Sequence, residues 1–131
     1  MSTGWVRQEQ TVGMREAFAH EAVLGMAPEA DLRAPGAAIT VALCGHWEHE
    51  PPCPVAPHHS RADRVGDDVR VRTLFATEPE RERAVRDLID RALSGGQLQG
   101  PVDRTHWQLR SSRRSVVSAQ ERDHAQRLVL G

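Results

Sequence analysis

The sequence predicts an α+β domain: a two-layer sandwich in which helices cover one face of a small three-stranded mixed sheet, strand order 2-1-3. Three observations carry that expectation. Residues 37–43 (Ala-Ala-Ile-Thr-Val-Ala-Leu) form a β-branched apolar run of the kind found in buried strands. Residues 69–76 open with Val-Arg-Val-Arg alternation, the period of a strand with one covered face. Between Ala84 and Leu93 the apolar residues recur at three- and four-residue steps, which places them on one stripe of a helix.

In chain order, residues 1–12 read as a disordered tail, and residues 13–131 as a single domain. Met14, Ala17, Phe18, Ala22 and Val23 suggest a first helix over Met14–Met26, stopped by Pro28. The run at 37–43 is read as the central strand and residues 69–76 as a half-exposed one. Thr77 and Glu80 have capping-box spacing, in which the hydroxyl and the carboxylate satisfy orphan amides at a helix start. In the helix that follows, Ala84, Val85, Leu88, Ile89, Ala92 and Leu93 face inward, and Arg81, Glu82, Arg86, Asp87 and Asp90 face water. Ser94-Gly95-Gly96 ends it. A third strand is read at Thr105–Arg110, with Trp107 and Leu109 inward and His106, Gln108 and Arg110 outward. Ser118 and Glu121 form a second capping box, which opens a last helix running through Leu130.

The strand, helix, strand unit from Val69 to Arg110 makes its two strands parallel, and the first strand is most economically placed between them, antiparallel to both. The topology resembles part of a ferredoxin-like arrangement, a resemblance of fold that implies no function.

Composition excludes several classes of function. The chain has 131 residues and a net charge of -1, enough for one core. No apolar run approaches the roughly 18 residues that span a bilayer, so no membrane partner is expected. Residues 1–10 lack the apolar core of a secretory signal, so a cytoplasmic location is expected. Every basic residue is Arg; a substitution that covers the whole chain carries no positional information. Residues 100–131 hold six Arg and three acids, too small an excess for a nucleic-acid partner. Arg70, Arg72 and Arg110 could line an open sheet face that binds an anion, but no exposed aromatic platform accompanies them.

The informative segment is the connection from Cys44 to Asp68, read as a Cys/His-rich loop. It contains both cysteines, Cys44 and Cys53, together with His46, His49, His58 and His59, four prolines and Glu48. Thiolate and imidazole are the ligands that zinc prefers, four of them in a tetrahedron in structural sites. The expected ligands are Cys44, His46, Cys53 and either His49 or His58. His106 joins them as a neighbour or substitute, because the predicted register brings it to the corner where the first strand ends. The spacing matches no zinc-finger pattern. His46-Trp47-Glu48 and Pro52-Cys53 echo the two halves of the zinc-deaminase signature, but Ala56 stands where its second cysteine belongs.

The sequence therefore points to a small cytosolic domain that binds a transition metal, zinc foremost, in a structural or sensory role. The alternative is a metal- or thiol-dependent enzyme using Cys44, His46, Glu48 and Cys53, with one coordination position open to water. Free thiols in a polar loop, or a Cys44/Cys53 redox pair, use the same residues without metal. A third class is a protein-partner module that makes contact through its open sheet face.

Overall fold

The computed structural model describes residues 14–44 and 56–130. Its elements are β1 (Glu16–Gly25), α1 (Ala34–Cys44), β2 (His58–Val65), β3 (Asp68–Thr77), α2 (Glu82–Ser94), β4 (Gln97–Gln99), β5 (Arg104–His106), β6 (Gln108–Ser115) and α3 (Arg122–Leu130). The fold class is α+β, but the main sheet has four strands in the order β2-β3-β1-β6, and every pairing is antiparallel. This replaces the expected three-stranded 2-1-3 sheet. Without the short β4–β5 hairpin, the order β1-α1-β2-β3-α2-β6 is the complete ferredoxin-like split βαβ topology.

Two segments exchange their expected roles. The predicted helix over Met14–Met26 is strand β1. Its Ala- and Glu-rich sequence favours a helix locally, but Phe18, Ala22 and Leu24 alternate into the core against Phe75, Val71 and Val69 of β3. The predicted central strand at 37–43 is helix α1. Its buried residues Ala34, Pro35, Ala38, Ile39 and Leu43 recur at helical steps, and Pro35 sits in the first turn, where a missing N–H costs nothing. The slot between the two parallel strands exists as expected, but Glu16–Gly25 fills it.

The connection between Cys44 and Asp68 is shorter than its sequence suggested. Its second half is strand β2, joined to β3 by a two-residue turn at Gly66-Asp67, with Gly66 at φ 63. A glycine there relieves the steric cost of the left-handed region. Residues 45–55 of the expected loop, like the 1–12 tail, lie outside the described residues.

The strand expected at Thr105–Arg110 breaks at Trp107. Its first half, β5, pairs with β4 in a separate sheet. Trp107 is buried and donates its ring N–H to the Leu93 carbonyl at 2.8 Å. The second half begins β6, which carries a bulge opposite Val23 and Leu24.

Helices α1 and α2 pack together on one face of the sheet, with Ile39 and Leu43 of α1 and Val85, Ile89 and Leu93 of α2 sharing a core with Val69, Val71 and Phe75 of β3. Helix α3 lies on the other face, so the expectation of helices on a single face fails. The Ser118–Glu121 capping box is formed in full. The Thr77–Glu80 box is not: Glu78 is the N-cap residue and makes no side-chain cap bond, because β3 runs through Thr77 and Pro79 sets the first turn. Among the described residues no helix is long and apolar enough to cross a membrane.

Candidate functional site

The end of α1 meets the start of β2. Strand β2 is an edge strand whose alternate residues, His58, Ser60 and Ala62, point toward α1. The two elements approach closely because residue 36 is glycine: a Cβ there would lie 3.2 Å from the Ser60 Cβ. Ser60 is held in turn by the Thr73 hydroxyl at 2.9 Å.

His58 sits in this seam. Its Nδ1 lies 3.0 Å from the Ala56 carbonyl, and its Nε2 lies 2.9 Å from the Thr40 hydroxyl. A carbonyl only accepts, so Nδ1 carries the proton, and Nε2 presents its lone pair to the Thr40 O–H. Burial lowers the His58 pKa, partly opposed by the Ala56 bond, so the ring is neutral at pH 7. A neutral imidazole anchored at Nδ1 by a backbone carbonyl is the form in which histidine offers Nε2 to a metal.

Cys44 is the last residue of α1, four residues after Thr40 and therefore on the same side of the helix. Its sulfur is disulfide-bonded; Cys53, the chain's other cysteine, lies outside the described residues. Beside His58 a cavity of about 360 Å³ opens, lined by Leu32, Gly36, Thr40, Ser60 and Val71 among others.

The remaining predicted ligands divide into two groups. His46, His49 and Cys53, with Glu48, lie outside the described residues. His106 is placed apart from Cys44: it lines a groove against Ala34 and Ala37, and Cys44 lies about 10 Å further along the axis of α1. The register that joined them assumed a strand at 37–43. Among the described residues no three His, Cys, Asp or Glu side chains converge on one point. His59 faces the opposite side of β2, its ring 4.4 Å from that of His124 on α3.

A second polar cluster lies apart from the expected ligands. Arg86, placed among the water-facing residues by the sequence, is buried and lies over the Phe75 ring at 5.2 Å. It donates to the Ala19 carbonyl at 2.8 Å and to Glu82 at 2.8 Å, and its other close partner is Nδ1 of His20 at 2.9 Å. Arginine only donates, so Nδ1 of His20 accepts and Nε2 carries the proton. That proton goes to Ser112 Oγ at 2.7 Å, and the Ser112 hydroxyl donates to Asp90. The residues are those of a hydrolase triad, but the direction is reversed. His20 has no lone pair left to take the serine proton, which a nucleophilic serine requires. The cluster is a structural network. Its sequence signal was the Glu82, Arg86, Asp90 spacing, one turn apart on one stripe.

The Arg-lined sheet face is also reassigned. Arg72 lies under α3, where it binds both carboxylate oxygens of Glu121 at 2.6 and 2.9 Å and also reaches Glu21 at 3.0 Å. The hydrogen bonds from Arg72 lower the Glu121 pKa to about 2. Arg110 pairs with Asp68 at 2.9 Å, and Arg70 lies 3.7 Å from Glu21. No family model, curated protein or solved structure matches this chain.

Proposed function

We propose that the chain is a small metal-binding domain with zinc as its preferred ion, in a structural or sensory role. The ligands would be His58 through Nε2, Cys44 as a thiolate, and side chains among His46, His49 and Cys53. The observation that carries this reading is the His58 ring, neutral and anchored through Nδ1. Its lone pair faces the side of α1 that also carries Cys44, and the segment richest in thiol and imidazole joins the two. A disulfide sulfur is not a thiolate ligand, so loading requires reduction, and oxidation of Cys44 competes with the metal.

Elemental analysis of untagged protein, reduced and purified without chelator, tests the proposal. Near-stoichiometric zinc is expected, absent from Cys44→Ser and from oxidised wild type. Metal-free reduced protein with an intact fold would sink it. The cavity beside His58 favours a second reading, an enzyme that keeps one metal position open to substrate with Glu48 as general base. Zinc-dependent turnover lost in Glu48→Gln, with the metal retained, would distinguish it.

A further inference from the structure

At the end of α1 remote from Cys44 lies a groove of about 900 Å³, bounded by the first half of α1 on one side and the β4–β5 hairpin on the other. We propose that this groove binds a small apolar molecule carrying a cationic amine. The inference is independent of the metal site.

The groove exists because of an unusual helix. Residues 34–44 contain no charged side chain, although α1 lies at the surface, where a helix ordinarily shows a polar face. Ala34, Ala37 and Val41 are spaced three and four residues apart, on one stripe. Ala34 and Ala37 line the groove and Val41 is 47% exposed. Small alanines keep that wall low, and Leu98, Pro101 and Val102 form the facing one. Val102 is 85% exposed. The volume suits a drug-sized ligand, which apolar walls with a few polar groups would orient.

Charge selects the ligand's polar end. Among the described residues, three carboxylates line the groove, Glu29, Asp31 and Asp103, against two guanidinium groups, Arg33 and Arg104. Asp31 is occupied by Arg33 at 3.0 Å. Arg104 is hydrogen-bonded to the neutral amides of Gln99 at 3.1 Å and Gln97 at 3.4 Å and keeps its charge. Glu29 and Asp103 have no cationic partner among the described residues. Two unpaired carboxylates against the single unpaired guanidinium of Arg104 leave the rim of this apolar trough negative, which favours an ammonium head over a carboxylate of the same chain length.

Calorimetric titration of the full chain with octylamine and with octanoate, in chelator so that bound metal plays no part, tests the proposal. Octylamine should bind with one equivalent, and octanoate about fivefold more weakly or less. Glu29→Gln combined with Asp103→Asn, both exposed, should erase that preference, and Ala37→Trp should block both ligands while leaving the circular dichroism melt intact. If Ala37→Trp does not fold, the loss of preference in the Glu29→Gln, Asp103→Asn double variant decides alone. Absence of octylamine binding, equal or tighter binding of octanoate, or full binding in folded Ala37→Trp would overturn the proposal. So would a dimer in sedimentation that the double variant leaves intact and octylamine cannot dissociate, since a second copy would then fill the groove.

Discussion

His20 and His58 both point toward the face of the sheet covered by α1 and α2, and burial lowers the pKa of both, yet their surroundings do opposite things. Every ring nitrogen of His20 is committed to a network that ends in Arg86, Glu82 and Asp90, and the ring is 4% exposed. His58 has one nitrogen fixed by a backbone carbonyl and the other held by a single hydroxyl beside a cavity. A saturated polar cluster holds the fold together, whereas a histidine with an exchangeable partner next to open space can take a ligand. Residue type separates the two sites poorly: the cluster with serine, histidine and aspartate is the inert one, because Arg86 fixes the wrong tautomer for base catalysis.

The largest effect should come from breaking the saturated side. Arg86→Met leaves the Ala19 carbonyl and His20 Nδ1 without their donor and Glu82 with the exposed Arg114 as its remaining cation, and is expected to cost about 3 kcal/mol in urea unfolding. His58→Ala, which removes a half-buried ring from a roomy seam, should cost clearly less. A similar loss for both would erase the distinction between structural and exchangeable histidine.

On the far face, α3 is fastened by the Arg72–Glu121 pair. Glu121→Gln should cost about 2 kcal/mol, the value of a charge-assisted hydrogen bond. Because the Glu121 pKa falls from 4.5 to about 2 on folding, its contribution is full above pH 4.5 and is lost as pH drops toward 2. Glu121→Gln should flatten stability over that window.

The acid response of the histidines comes next. Both folded pKa values lie below the unfolded value of about 6.5, so below that pH the unfolded chain binds more protons than the folded one. Their stabilisation is therefore full above about pH 6.5 and declines as pH falls. Removing the ring in His20→Asn should take away up to about 1.4 kcal/mol per pH unit of that slope, read from unfolding midpoints between pH 6.5 and 5. An unchanged slope would mean that His20 is protonated in the fold.

The smallest effect is expected at Thr40→Val, which removes the hydroxyl from His58 Nε2. It should change stability by less than about 1 kcal/mol and leave zinc affinity equal or tighter, since the metal no longer displaces a hydrogen bond. Weakened binding would make Thr40 part of the site.

The parts of the fold legible in the sequence were those whose two faces differ. Helix α2 carries a clean apolar stripe, β3 opens with strict alternation, and Ser118 announces the last helix. Strand β1 reads as a helix because helices cover both faces of its sheet, so inward Phe18, Ala22 and Leu24 alternate mostly with apolar Ala17, Ala19 and Val23, Glu21 being the polar exception. Helix α1 reads as a strand because its outer face carries Ala37 and Val41 where charged residues would show a helical period. Strand β2 was hidden inside an apparent loop: its inward residues are His58, Ser60 and Ala62, small or polar because α1 comes so close at Gly36.

The candidate site was legible in composition and opaque in geometry. The Cys/His cluster drew attention to His58 and Cys44, but the role of Thr40 depends on 37–43 being a helix, and the link to His106 depended on its being a strand. His20 escaped notice because its inward direction follows only from the strand register.

The most direct measurement is competitive zinc titration of reduced protein, comparing wild type with His58→Ala and His106→Ala. One bound zinc is expected, weakened at least about tenfold by His58→Ala and untouched by His106→Ala. Full affinity without the His58 ring, or no zinc bound by the reduced wild type, would contradict the assignment.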